Sequence, residues 1–242
     1  MRVLCLGVVL LSSAAVGADI VWTETFAGGR LDPDRWETTS SGDFRDRSVS
    51  VVEVPDGTGR FRLALSADTR GTRDDTVKTL GVRSVPRFEL PGETRVSLRL
   101  DWNGQSNGSY LSAAVVLSPH ETSADVLTRP DWFKVEYVGV APGKNARMVI
   151  GVRRGGQERT LSTEGWPEHN RSGRPIGLQR LTIVLRDGRV QVMENDAEVY
   201  SSNEKIIQFG DAHLYLRMSS HSNYPPRTIH VESIRVERTD GL

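Results

Sequence analysis

Apolar and polar side chains alternate with a period of two over most of this 242-residue chain. A strand sends successive side chains to opposite faces, so the alternation predicts strands with one oily and one polar face. Residues 213–219 show it best: Leu214, Leu216 and Met218 point one way, and His213, Tyr215, Arg217 and Ser219 the other. Ile229, Val231, Ile234 and Val236 line a closing strand, and the loop between, Ser-Ser-His-Ser-Asn-Tyr-Pro-Pro, is dense in hydrogen-bonding groups. Residues 48–54, 60–66, 80–84 and 94–102 read as strands in the same way. Residues 110–117 are nearly all apolar, as in a central strand covered on both faces. Residues 21–26, 132–138, 147–153, 181–186 and 190–193 add further strands. Asp187-Gly188 is a hairpin turn signature, and a second tight turn is expected over 194–197. A turn begun at Pro33 sets Trp36 inward, beside Trp22 in the core. Residues 67–75 read as a polar loop and 205–209 as the one short helix. Roughly a dozen strands at this spacing predict an all-β sandwich or barrel in one domain.

Composition narrows the class. The first 18 residues run from Arg2 through an apolar stretch to Val16-Gly17-Ala18, the pattern of a cleaved secretory signal, so the mature domain is expected over 19–242. The apolar stretch is short for a membrane span. A secreted or periplasmic location follows, with no membrane span after cleavage. Removing the signal takes the only cysteine, Cys5, and with it any disulfide, thiolate nucleophile or cysteine metal site. The chain holds 31 basic and 31 acidic side chains; loss of Arg2 leaves 30 against 31, a net charge of −1. A nucleic-acid binder usually shows a clear basic excess. The five histidines lack zinc spacing, and no nucleophile elbow or phosphate loop is present.

Several segments resemble one family. Glu24-x-Phe26 followed by Leu31-Asp32-Pro33-Asp34-Arg35-Trp36 is similar to the opening of laminarinase-like glycoside hydrolases and concanavalin A-like lectin domains. Gly81-Val82-Arg83-Ser84, the hairpin run 178–190 with Glu198-Val199-Tyr200, and the closing strand 229–236 resemble later segments in the same order. The resemblance implies an all-β concanavalin A-like jelly roll, a two-sheet antiparallel β-sandwich with sugars on a concave face. It also implies catalytic carboxyls on one strand, as Glu-x-Asp-x-x-Glu or one residue shorter. Here that strand is 131–139. Lys134 falls at the first glutamate, Glu136 at the aspartate, and Val138 or Gly139 at the second glutamate. Retaining glycosidases need two carboxyls about 5–5.5 Å apart. One survives, so no catalytic residue is assigned.

Binding asks less: flat aromatic faces and fixed polar groups. Trp102, Trp132, Trp166 and Tyr224 are the candidate platforms. Arg83, Lys134, Glu136, Arg217 and His221 are the candidate polar partners, and Lys134 with Arg217 would suit an acidic or sulfated glycan. The resemblance also implies a structural calcium ion where first and last strands meet, with Glu24 and Glu232 as its ligands. The leading expectation is a non-catalytic carbohydrate-binding module. The alternatives are a hydrolase or lyase with relocated catalytic residues, the latter drawing on His221, Tyr224, Arg217 and Asn223, and a structural or protein-interaction module.

Overall fold

The computed structural model describes residues 19–73, 77–102, 111–138, 147–165 and 177–239. Its sixteen strands, numbered in chain order, form two antiparallel sheets packed face to face. The first sheet runs β14 (Ala197–Ser201), β13 (Arg189–Glu194), β12 (Gln179–Arg186), β7 (Glu93–Asp101), β16 (Arg227–Thr239), β4 (Phe61–Asp68), β3 (Asp46–Glu53), with β1 (Asp19–Glu24) also on β16. The second runs β11 (Gln157–Gly165), β10 (Arg147–Arg154), β9 (Trp132–Val138), β8 (Ser112–Ser118), β15 (Asp211–Ser220), β5 (Lys78–Ser84), β2 (Trp36–Ser41), with β6 (Phe88–Glu89) also on β15.

The alternation becomes the core. Val96, Leu98 and Leu100 of β7 and Leu214, Leu216 and Met218 of β15 meet between the sheets, all nearly fully buried. Each such side chain contributes roughly 1.5–3 kcal/mol by leaving water. On β16 the inward set shifts phase, from Ile229 and Val231 to Ile234 and Val236. A bulge between Val231 and Ser233 absorbs the extra residue. Asp187-Gly188 and Asn195-Asp196 turn the two hairpins with positive φ at both positions, 50° and 79°, then 50° and 69°. Trp36 is buried against Trp22 and Phe26 as expected.

Residues 205–209 are not a helix. The segment is extended across the β12–β13 turn, where the amides of Ile206 and Ile207 both donate to the Gly188 carbonyl at 2.7 and 2.9 Å. Five residues cannot repay helix nucleation, and burying Ile206 and Ile207 decides the conformation.

Candidate functional site

The second sheet buries one face in the core and turns the other outward. Strand parity puts Trp132, Lys134, Glu136 and Val138 of β9 on that outer face. Register places them beside Ser112, Ala114 and Val116 of β8, which pair in turn with Tyr215, Arg217 and Ser219 of β15. Residues 119–131 cross the middle of this face as a strap. The Tyr215 hydroxyl donates to the His120 carbonyl at 2.6 Å and accepts from the Thr122 amide at 3.2 Å. Burial pushes that phenol up to about 12. The Ser40 amide donates to Ser123 at 2.8 Å. Asp125 caps the short 3-10 turn Val126–Thr128, and its carboxylate takes a two-pronged bond from Arg217, 2.8 Å on each oxygen.

The strap changes the role of the expected platforms. Trp132 is fully buried beneath Val126 and Leu127 with Ala114, Val116 and Tyr215, and its indole donates to the Leu127 carbonyl at 3.1 Å. Trp102 faces the core, stacked on Tyr137 with centroids 5.9 Å apart. Neither ring offers a face to solvent. Tyr224 is pinned by its backbone to Thr69, 3.1 Å through its amide and 3.0 Å through its carbonyl, away from the outer-face pocket. Trp166 lies outside the described residues.

Beside the strap a pocket of about 270 Å³ remains, lined by Lys134, Glu136, Arg217, Ser219 and His221 among others. So four of the expected polar residues meet. Arg83 does not join them: it lies farther along the face with Glu37, Glu121 and His213. In the pocket Lys134 bonds Glu136 at 2.9 Å and reaches Glu158 at 3.6 Å. The Ser112 hydroxyl donates to Glu136 at 2.6 Å, and Arg217 lies 3.6 Å from the same carboxylate. Burial works to raise the Glu136 pKa, but Lys134, Arg217 and the Ser112 bond outweigh it and hold the carboxyl below the usual glutamate range. Asp125 behaves alike: burial opposes, Arg217 and the Leu127 amide prevail. Among the described residues Glu158 shares Lys134 with Glu136, and Asp125 shares Arg217 with it, so each of these carboxylates meets Glu136 through a cation. Between them Lys134 and Arg217 are engaged by three carboxylates, Glu136 and Glu158 on the first and Asp125 and Glu136 on the second.

Sequence reasoning missed Asp125, Ser112 and the strap. The available signal was a stretch between two strands, 119–131, too long for a hairpin loop and bounded by Pro119 and Pro130.

Glu24 and Glu232 do not converge. Glu24 accepts from the amides of Thr25 and Phe26 and the Trp36 indole, at 2.9, 2.8 and 3.1 Å. Glu232 sits on the outer face of the first sheet between Arg62 at 3.2 Å and Arg99 at 2.6 Å. Their partners are donors and cations, which compete with a metal ion. Among the described residues no group of three or more His, Cys, Asp or Glu is placed to hold one.

No protein-family model and no curated protein matches the chain. Solved structures do. The catalytic domain of an endo-1,3-β-glucanase (laminarinase) from Thermotoga petrophila aligns with TM-score 0.64 and 14% identity, over 94% of this chain and 100% of that one. A Bacteroides ovatus mixed-linkage glucan GH16 protein, solved with a product, gives 0.64 and 9%, over 90% and 100%. A Bacillus licheniformis β-glucanase gives 0.58 and 10%, over 91% and 97%. The chain has the concanavalin A-like jelly-roll fold. That likeness is one of architecture, and the jelly roll's own side chains must argue its chemistry.

Proposed function

We propose that the protein is a secreted, single-domain carbohydrate-binding module that holds a polysaccharide without cleaving it, in the pocket beside the strap. The observation that carries this reading is the state of Glu136. It is flanked by Lys134 and Arg217 and kept ionised, so it cannot act as a general acid near neutral pH, and among the described residues no second carboxyl stands free beside it to act as nucleophile. What the pocket supplies is a fixed set of donors and acceptors. Because its two cations are already opposed by Asp125, Glu136 and Glu158, the charge favours a neutral glycan over an acidic one. The structural neighbours are β-glucanases by name, which makes soluble β-glucans the first ligands to try.

The test is affinity electrophoresis of residues 19–242 in gels of β-1,3-glucan, mixed-linkage β-glucan and an acidic polysaccharide, with reducing-end and unsaturated-product assays on the same samples. Retardation without product, weakened in His221→Ala, supports the module. Product release overturns it. A structural or protein-interaction module is the second reading, favoured by the strap that covers Trp132 and Tyr215. Absence of retardation in every gel would select it.

A further inference from the structure

A larger cavity than the outer-face pocket opens at one end of the sandwich. Its volume is about 420 Å³ against about 270 Å³ for the pocket at Glu136, which brings it within the size of an ordinary ligand site, about 300–1,000 Å³. Leu90, Leu185 and Ile207 make its floor, and the half-buried ring of Phe209 stands at its side. Asp187, Lys205 and Gln208 stand at its rim. A smaller cavity of about 240 Å³ lies on the far side of Phe209 and shares Gln208 with the first.

Two features separate this cavity from a casual surface hollow. Its walls are fixed. Gly188 accepts from both Ile206 and Ile207, the Gly210 carbonyl accepts from Leu90 at 2.9 Å, and Arg154 holds the Ile206 carbonyl at 2.9 Å. A Cβ at Gly188 would stand 2.4 Å from the Ile207 carbonyl oxygen, so the strand turn and the segment above it touch backbone to backbone. A wall held this way needs little ordering when a ligand enters. Its polar groups are also open to solvent. On the outer face Lys134, Glu136, Arg217, Ser112 and Ser219 satisfy one another. At the rim Asp187, Lys205 and Gln208 are exposed, so their side chains are open to a ligand as they are to water, with Arg186 the charge that acts on Asp187.

We infer that this cavity is a second saccharide site, taking one neutral pyranose unit of a glycan whose chain runs over Phe209. The chemistry selects that class. An aromatic edge and an aliphatic floor match the C–H face of a pyranose, while a carboxylate, an ammonium and an amide at the rim match its hydroxyls. The carboxylate and ammonium cancel, which removes any preference for a charged sugar. The inference rests on the carbohydrate reading but not on the pocket at Glu136.

Affinity electrophoresis and titration calorimetry of residues 19–242 with soluble β-1,3-glucan and mixed-linkage β-glucan test it. Asp187→Asn keeps a residue that tolerates the positive φ of that turn, and Gln208→Ala changes an exposed side chain, so both should fold. Each should weaken binding about two- to tenfold, the worth of one hydrogen bond, and Phe209→Ala should weaken it further. Binding unchanged in all three variants overturns the inference; if His221→Ala then abolishes it, the outer-face reading stands alone. Loss in the three variants with no effect of His221→Ala keeps the inference and removes the outer-face site. A wild-type chain that binds neither glucan ends both.

Discussion

Trp132→Ala separates a ligand platform from a structural ring. The side chain is fully buried under the strap. Removing a ring of this size costs about 3–5 kcal/mol in lost transfer energy and cavity. The indole bond adds little to that, because the Leu127 carbonyl keeps a second donor, Arg153, at 2.9 Å. For a chain of this size each kcal/mol lowers Tm by roughly 2–4 °C, so the variant should melt about 6–20 °C below wild type. Trp132→Phe keeps most of the volume and should lose a fraction of that. Calorimetry gives Tm, and retardation in β-glucan gels on the same samples gives binding. The reasoning fails if Trp132→Ala melts with wild type yet loses retardation, for then the ring meets ligand and the strap does not cover it in solution.

Breaking the buried pair with Arg217→Met leaves Asp125 uncompensated and should cost about 3–5 kcal/mol by urea unfolding, with Asp125→Leu added to it restoring a large part. Gly81→Ala should lower Tm sharply or prevent folding, because its Cβ would sit 2.2 Å from the Leu216 carbonyl oxygen of the paired strand. Burial lowers the pKa of His213 and His230, so both stay neutral in the fold while the unfolded chain takes up protons below about 6.5. Stability should therefore begin to fall as pH drops past that value, and His213→Gln should reduce that first step. Asp125 and Glu136 have lowered pKa values, so their contribution is present above the unfolded carboxyl range near pH 4 and is lost as pH falls through their folded values. Asp125→Asn should flatten the acid limb of a urea midpoint against pH series.

The fold was legible because two-residue alternation and hairpin turns are local. Leu214, Leu216 and Met218 could be assigned to one face without knowing what they pack against, and Asp187-Gly188 names its own turn. The strands β2 and β11 were harder. Trp-Glu-Thr-Thr-Ser-Ser and Gln-Glu-Arg-Thr-Leu-Ser-Thr-Glu-Gly lie at the two ends of the second sheet and carry too few apolar residues to show a period. The site was half legible. Lys134, Glu136 and Arg217 share a pocket because period two and antiparallel register put them there, and His221 joins them from the loop just past the end of β15. Their meaning depended on Asp125 and the strap, which meet them only through tertiary contact.

The strap decides what the outer face can do. Uncovered, that face would present Trp132, Tyr215 and Arg217 side by side, a surface with aromatic planes and a free guanidinium. Residues 119–131 answer each group: Leu127 takes the indole, His120 and Thr122 take the phenol, and Asp125 takes the guanidinium. A ligand would have to displace bonds already made, or accept the smaller pocket at Glu136 where acceptors and donors are mutually occupied. Exposed polar groups around an apolar floor stand at the sandwich end, at Asp187, Lys205 and Gln208. Binding energy comes from groups that water holds now and a ligand can hold better. By that measure the proposed site at Phe209 should hold a sugar more tightly than the proposed site at Glu136.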